Sequence, residues 1–328
     1  MRNKLKIGIT GGTGYTAGEL LRILINHPYA DVEFVYSVSN PGMAVGSVHT
    51  DLLGDTDLCF TNELKPVDVL FLCLGHGISK EFLSNNHFDE HAKVIDLGSD
   101  FRINTVFDAG AKSRNFVYGL PEINKQQIIE AQSIANPGCF ATAIQLALIP
   151  LASANLLNNE VHINAITGST GAGRSLSETS HFSYRENNIS VYKPFTHQHL
   201  KEINKTLKQI QGNIPKLNFI PLRGNFTRGI FASLYTDCDE NECDIVELYK
   251  GFYATHPFTH VVNKPLSLKD VVNTNKCLLN ISKHGNKILI TSIIDNLLKG
   301  ASGQAVQNMN LMYGLKEDCG LRLKSSGF

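Results

Sequence analysis

Two stretches of the 328-residue chain carry residue types that could make and break bonds. Ser133-Ile-Ala-Asn-Pro-Gly-Cys139-Phe-Ala-Thr142 reads as the end of a strand, a sharp turn at Asn136-Pro137-Gly138, and a helix with apolar Ile144, Leu146, Leu148 and Ile149. A thiol at the start of that helix meets unpaired backbone N–H groups and the positive end of the helix dipole. Both favour the thiolate, the nucleophilic form. The competing reading is a buried structural cysteine, a common fate of free thiols. The second stretch is Phe195-Thr-His197-Gln-His199-Leu-Lys-Glu-Ile203, which runs into a helix. Histidines at i and i+2 do not share a helix face, which argues against a metal clamp. One imidazole at the start of the helix can instead face a cleft as an acid or base.

Other groups could hold a substrate. Arg102, in Gly98-Ser-Asp-Phe-Arg102, offers a planar fork to a phosphate or carboxylate, with an ion pair to Asp100 as the alternative. The glycine-rich loop Gly168-Ser169-Thr-Gly171-Ala-Gly173 follows an expected strand, Val161–Thr167, but no long apolar helix follows it. It reads as backbone that can come close to a ligand near the thiol. Cys238 and Cys243 lie in an acidic segment without a matching His/Cys pair, so they read as a solvated turn and no metal site is expected.

These groups need elements to position them. Leu5–Ile9 alternates as a strand, Thr10-Gly11-Gly12-Thr13-Gly14-Tyr15-Thr16-Ala-Gly18 turns, and Glu19–Ile25 is apolar around most of a helix. Strand, glycine turn and helix form the phosphate cradle of a dinucleotide fold. The second strand, Val32–Tyr36, ends in Ser37-Val38-Ser39-Asn40 without the Asp or Glu that favours NAD, so NADP is expected. No Lys or Arg lies between Arg22 and Lys65, which leaves a 2′-phosphate to Ser37, Ser39, backbone amides or a distant cation. Apolar strands at 67–73 and 93–97 suit a parallel sheet buried on both faces. Their loops, Gly75-His76-Gly77 and 98–102, fall at carboxyl ends, where ligands lie in such sheets. A helix at 123–131 leads back to the strand before Cys139.

Beyond the Cys139 helix, strands are expected at 217–222, 229–235, 271–281 and 287–294, with a helix at 245–255. That is the pattern of an α+β domain with a mostly antiparallel sheet. Residues 175–192 read as a long ordered loop or a short helix carrying function. In 295–313 the apolar positions Leu297, Leu298, Ala301, Ala305, Met309 and Met312 recur at helical spacing. The small residues Gly300, Ala301, Ser302 and Gly303 would let this helix pack against another backbone or a flat ligand.

Composition sets outer bounds. Thirty basic residues balance thirty acidic ones, so nothing points to nucleic acid or an anionic membrane. No apolar run approaches the roughly 20 residues of a bilayer span, and the chain enters its first strand without a secretory apolar region; a cytoplasmic protein is expected. Seven scattered cysteines argue for reduced thiols.

Taken in order, Gly11-Gly-Thr-Gly-Tyr-Thr-Ala-Gly-Glu-Leu20, Ser99-Asp-Phe-Arg102, Tyr118-Gly-Leu-Pro-Glu122, Asn136-Pro-Gly-Cys139, Thr167-Gly-Ser-Thr-Gly-Ala-Gly-Arg174, His197-Gln-His199, Arg228-Gly229 and Asp295-Asn-Leu-Leu-Lys-Gly300 resemble the N-acetyl-γ-glutamyl-phosphate reductases of arginine biosynthesis, similar in architecture to aspartate-semialdehyde dehydrogenases. The resemblance covers nearly the whole chain. It implies an α/β dinucleotide-binding (Rossmann-type) domain at 1–138 and 297–328. Residues 139–296 would form the α+β catalytic, substrate and oligomerisation domain of a dimer or tetramer. It implies that Cys139 displaces phosphate from an acyl phosphate, that NADPH reduces the thioester, and that His199 is the base, with His197, Arg102 and Arg228 at the substrate. Ser169, Gly171, Asn296 and Gly300 join residues 11–16, Ser37, Ser39, Gly75 and His76 at the cofactor. Two departures stand out: Val38 where the family commonly has arginine, and Pro221-Leu-Arg223 where it commonly has Pro-His-Leu. Arg223 raises an N-succinyl group as an alternative to N-acetyl. Aspartyl or carrier-linked aminoadipyl phosphate, or a non-catalytic nucleotide-binding role, are the other readings.

Overall fold

The computed structural model describes residues 3–75, 77–108, 110 and 113–327. It divides the chain into two compact units, Met1–Pro137 with Ala301–Arg322, and Gly138–Gly300 with Leu323–Phe328. The entry to the second unit falls one residue before the expected boundary, and the return to the first comes at 301 where 297 was expected. The terminal residues 323–327, expected in the first unit, pack in the second: Ser326 donates its N–H to Val272 O (3.2 Å) and accepts a bond from Asn273 Nδ2 (3.0 Å).

The first unit contains β1 (Leu5–Thr10), α1 (Tyr15–Leu24), β2 (Ala30–Tyr36), β3 (Phe60–Thr61), β4 (Val69–Leu72), α2 (Ser79–Asn85), β5 (Lys93–Asp96), the hairpin strands β6 (Val106–Phe107) and β7 (Arg114–Asn115), β8 (Val117–Tyr118), α3 (Pro121–Glu130) and β9 (Ser133–Ala135). Seven strands form one sheet in the order β3-β2-β1-β4-β5-β9-β8, with every pairing parallel. Ile7, Ile9 and all of Val69–Leu72 are fully buried, as a sheet covered on both faces requires. The strand order reverses between β1 and β4, so the glycine turn after β1 lies at the switch point.

The second unit contains α4 (Cys139–Ser153), β10 (Val161–Thr167), α5 (Phe182–Arg185), β11 (Ser190–Val191), α6 (His199–Gln211), β12 (Leu217–Arg223), β13 (Ile230–Asp237), α7 (Glu242–Tyr253), β14 (Thr259–Val261), β15 (Cys277–His284) and β16 (Lys287–Ile294). Its seven strands run β11-β12-β10-β13-β16-β15-β14. The pairs β10/β12 and β14/β15 are parallel and the other four antiparallel, so most pairings are antiparallel as expected but the sheet is mixed. Periodicity marks strands but not their partners, and α6 carries the chain from β10 back to a parallel neighbour.

α4 is the central core element of this unit. Its residues from Phe140 to Ala152 are all buried, which explains why it is apolar all round and not amphipathic. Pro150 removes the N–H that would bond Leu146 O. The Tyr253 hydroxyl of α7 donates to that carbonyl instead (2.6 Å).

Two expected elements are different. The strand expected from 271 begins only at Cys277; before it lies a 3-10 turn, Leu268–Asp270, and Asn273 at φ +69°. The expected continuous helix over 295–313 is a turn followed by α8 (Ser302–Met312), which belongs to the first unit. Asp295 caps the turn, its Oδ1 accepting the N–H groups of Leu297 (2.8 Å) and Leu298 (3.2 Å), and the break comes at Ala301, whose φ of −157° and ψ of −96° are not helical. α8 is wholly buried despite Gln307, Asn308 and Asn310, whose amide nitrogens all donate hydrogen bonds. Asn308 Nδ2 donates to Gly119 O (2.9 Å), and Asn310 Nδ2 to Cys319 O (2.9 Å).

Candidate active site

In the second unit, Cys139 is the first residue of α4 and is half-buried. Gly138 precedes it in extended conformation, and no side chain caps the helix. The Gly138 N–H donates to Glu202 Oε2 (3.1 Å), while Glu202 Oε1 lies 3.9 Å from His199 Nε2. One buried carboxylate therefore ties the backbone before the thiol to an imidazole at the start of α6. Glu202 is itself held in α6 against α4, where Gln145 Nε2 donates to its carbonyl (3.3 Å) and to Thr206 Oγ1 (3.1 Å).

The two histidines meet, contrary to the expectation from their spacing. His197 lies before the helix begins, so the rule for helix faces does not apply to it; the rings sit 4.7 Å apart and both pack on Phe140, the residue after the thiol. His197 Nδ1 accepts the N–H of His199 (3.2 Å), which leaves the ring proton on Nε2. Burial, helped by the charge of Lys193, pushes the His197 pKa down to about 4. It is a neutral donor at physiological pH. By contrast, burial pushes the Cys73 thiol up to about 12, and it stays protonated.

Next to the thiol lies a cluster that sequence reasoning found only in part. Tyr192 is electrostatically coupled to Cys139 and packs on His197 at 5.6 Å. The Arg223 guanidinium stacks over the Tyr192 ring at 4.1 Å and makes no ion pair among the described residues. Arg185 joins it: its Nη2 donates to Gly224 O (2.6 Å), and burial, then the charge of Arg223, lowers its pKa. Lys193 and Phe195 hold φ of +45° and +59°, strain that is common at functional sites.

Arg228, expected at the substrate, forks onto the fully buried Asp295, Nε to Oδ2 at 3.1 Å and Nη2 to Oδ1 at 3.3 Å. It positions the turn at 295–300. Asn296 likewise serves the fold of this unit, accepting from Gly229 N (2.7 Å) and donating to Thr170 Oγ1 (3.0 Å) in the 3-10 turn that holds Ser169 and Gly171. Gly300 comes back against the thiol residue: a Cβ there would stand 2.8 Å from Cys139 Cβ, so no other residue fits.

In the first unit, the turn after β1 fits a dinucleotide. Gly11 has φ +66°, and a Cβ on it would stand 2.3 Å from Cys73 O, so only glycine lets the turn pack against the chain leaving β4. α1 starts at Tyr15 after Gly14 with no side-chain cap, leaving its first amides for an anion, and Thr13 and Thr16 flank them. His49, which the sequence did not single out, fixes the loop by a 2.7 Å bond from its Nε2 to Gly12 O. Ser37 and Ser39 follow β2, and Gly75 follows β4; His76 lies outside the described residues.

Arg102 is buried in this unit and donates from Nε to Asn136 O (2.9 Å) and from Nη2 to Leu97 O (3.0 Å), which fixes its plane. Asp100 does not pair with it in these bonds but accepts from Gly77 N and Lys80 N (2.7 and 3.0 Å). The Arg102 loop is anchored by Asp96, which accepts from Ser79 Oγ (2.6 Å) and Gly98 N (2.9 Å).

Comparison with known proteins agrees with this layout. A family model described as the NAD binding domain of semialdehyde dehydrogenase matches residues 6–131, and one described as the dimerisation domain matches 139–296. An N-acetyl-gamma-glutamyl-phosphate reductase from Flavobacterium johnsoniae is 60% identical over 326 residues, covering 99% of this chain and 100% of that protein. The chain belongs to this reductase family. A reductase of the same name from Christiangramia forsetii is 56% identical over 326 residues, covering 99% of this chain and all of that one. Among solved structures, aspartate semialdehyde dehydrogenase II from Vibrio cholerae, complexed with ASA, superposes with a TM-score of 0.72 at 16% identity, covering 95% of this chain and 99% of that chain. Aspartate semialdehyde dehydrogenase from Candida albicans, with NADP, gives 0.64 at 14% identity, with the same shares covered. At that identity these structures show a shared fold. Family membership thus comes with a Rossmann-type domain for a nicotinamide dinucleotide and a second domain built on a mixed sheet.

Proposed function

We propose that the chain reduces an N-acyl-γ-glutamyl phosphate to the γ-semialdehyde with NADPH, through a thioester on Cys139, as a cytoplasmic step of arginine biosynthesis. The observation that carries this reading is the thiol at an uncapped helix start whose preceding amide shares Glu202 with His199. Cys139 attacks the acyl carbon, the bond to the phosphate oxygen breaks, and the thiol proton passes to His199. His197, neutral with its proton on Nε2, donates a hydrogen bond to the substrate. Arg102 holds the departing phosphate by its fixed guanidinium. Residues 11–16 would hold the pyrophosphate of a reduced nicotinamide dinucleotide, with Ser37, Ser39 and Gly75 on its adenosine side and Ser169, Gly171, Asn296 and Gly300 shaping the backbone for its other end, and the group would supply hydride for the thioester carbon. Cys139 leaves again as thiolate when the aldehyde forms, and the phosphate has gone with the first half-reaction.

NADPH is preferred in this reading because no carboxylate stands at the end of β2. A homo-oligomer, dimer or tetramer, is supported by the matched dimerisation model and by the half-buried face of the second sheet, where Ile166, Phe231 and Leu289 alternate with buried neighbours and Tyr235 is exposed.

A second substrate reading rests on Arg223 and Arg185. Two guanidinium groups without a carboxylate partner among the described residues, next to the thiol, would suit an additional carboxylate such as that of an N-succinyl group. Steady-state kinetics in the phosphate-dependent direction, with N-acetyl- and N-succinyl-glutamate semialdehyde and aspartate semialdehyde, test both statements. Turnover of an N-acyl-glutamate semialdehyde and not of aspartate semialdehyde supports the function; the reverse overturns it. Loss of a succinyl preference in Arg223→Leu supports the second reading, and an unchanged preference ends it.

A further inference from the structure

The loop that leaves the carboxyl end of β2, where a dinucleotide fold reads the adenosine ribose, carries no charged residue of its own in this chain. β2 ends at Tyr36, and the fourteen residues from Ser37 to Thr50 contain no Asp, Glu, Lys or Arg. Ser37 is buried with its N–H bonded to Thr61 O (2.8 Å). The hydroxyls of Ser37 and Ser39 lie 3.4 Å apart, Ser39 Oγ donates to Asn40 Oδ1 (2.6 Å), and Asn40 Nδ2 reaches Met43 Sδ (3.2 Å). Val38 stands between them, 74% exposed. The nearest cation upstream in the chain, Arg22, is already forked onto Glu19 at 3.1 and 2.8 Å, and the next Lys or Arg is Lys65.

Two opposite charges set nucleotide choice in this fold. A carboxylate captures the ribose 2′-hydroxyl and repels a 2′-phosphate, while an arginine pairs the phosphate. Neither stands among residues 37–50, so this loop neither repels a 2′-phosphate nor pairs its charge. Only neutral hydroxyl and amide donors remain to hold it, and these are roughly half as strong as charged ones. Resting on the reading of residues 11–16 as the cofactor cradle, we infer that Val38 is the specificity-determining position and that the chain accepts both NADP and NAD, with affinities within about thirtyfold, what two neutral hydrogen bonds supply.

Calorimetric titration of the whole protein with NADP⁺ and NAD⁺, without substrate and at two salt concentrations, tests this. The expected result is binding of both within about thirtyfold, with salt dependences that match. Val38→Arg, at an exposed site that tolerates the larger side chain, should tighten NADP⁺ about tenfold or more, leave NAD⁺ unchanged and make NADP⁺ binding salt-sensitive. A wild-type gap larger than about thirtyfold in either direction overturns the inference while leaving the cradle intact, and so does a Val38→Arg variant whose ratio equals that of the wild type. If neither nucleotide binds, the cradle itself is wrong and the inference falls with it.

Discussion

Glu202 links the backbone before Cys139 to the His199 imidazole, and under the proposed function it orients that base. It is 3% exposed, accepts the Gly138 N–H and stands across from His199 Nε2. Glu202→Gln keeps the shape and removes the charge, so turnover should fall about 10- to 1,000-fold with a shifted pH profile and little change in nucleotide affinity; steady-state rates across pH check this. His197 gives a stability signature. Its folded pKa lies below the unfolded value near 6.5, so the unfolded chain takes up the proton first as pH falls. The neutral ring contributes stability that is fully present above pH 6.5 and is lost as pH drops toward 4, about 2 kcal/mol in all. Urea unfolding at pH 7 and pH 4.5 should show a smaller pH difference for His197→Phe than for the wild type. Cys139, the two histidines and Arg102 could be picked out from residue type and spacing. Glu202 lay three residues after His199 on the same helix and was readable by that spacing, whereas Asp295 and Tyr192 gain their partners only through tertiary packing.

At the scale of elements, α4 shows how a sequence irregularity is absorbed. Pro150 orphans Leu146 O, and Tyr253 Oη fills the vacancy from α7. Tyr253→Phe should therefore cost about 1–3 kcal/mol, the penalty for a buried carbonyl left unsatisfied, and chemical denaturation would measure it. Elements with one strong period, such as β10 and β16, stand where the sequence placed them, and α4 stands there by its long apolar run. Those that failed share a cause. The stretch 295–301 has helical spacing, yet its turn is capped by Asp295, which is fixed by Arg228 67 positions away, and it ends at the non-helical backbone of Ala301 before α8 begins. The β10/β12 pairing was equally invisible, since alternation reports which face is buried and not which neighbour runs parallel.

Across the whole molecule, labour is divided between a parallel sheet that carries a glycine cradle and a mixed sheet that carries a thiol with two imidazoles. The first was legible because strand, glycine turn and helix follow one another directly in sequence. The return of 301–322 to the first unit was legible only in outline, because α8 is buried on every side and so lacks the stripe that marks a surface helix. The central claim is that the acyl group passes through the Cys139 sulfur. Its most direct test is to mix the protein with N-acyl-γ-glutamyl phosphate without nucleotide and measure the intact mass together with released phosphate. The account predicts one acyl adduct per chain, mapped to Cys139, one equivalent of phosphate, and neither in Cys139→Ser. A wild-type protein that turns over fully yet never carries the adduct, or a Cys139→Ser variant with normal turnover, would contradict it.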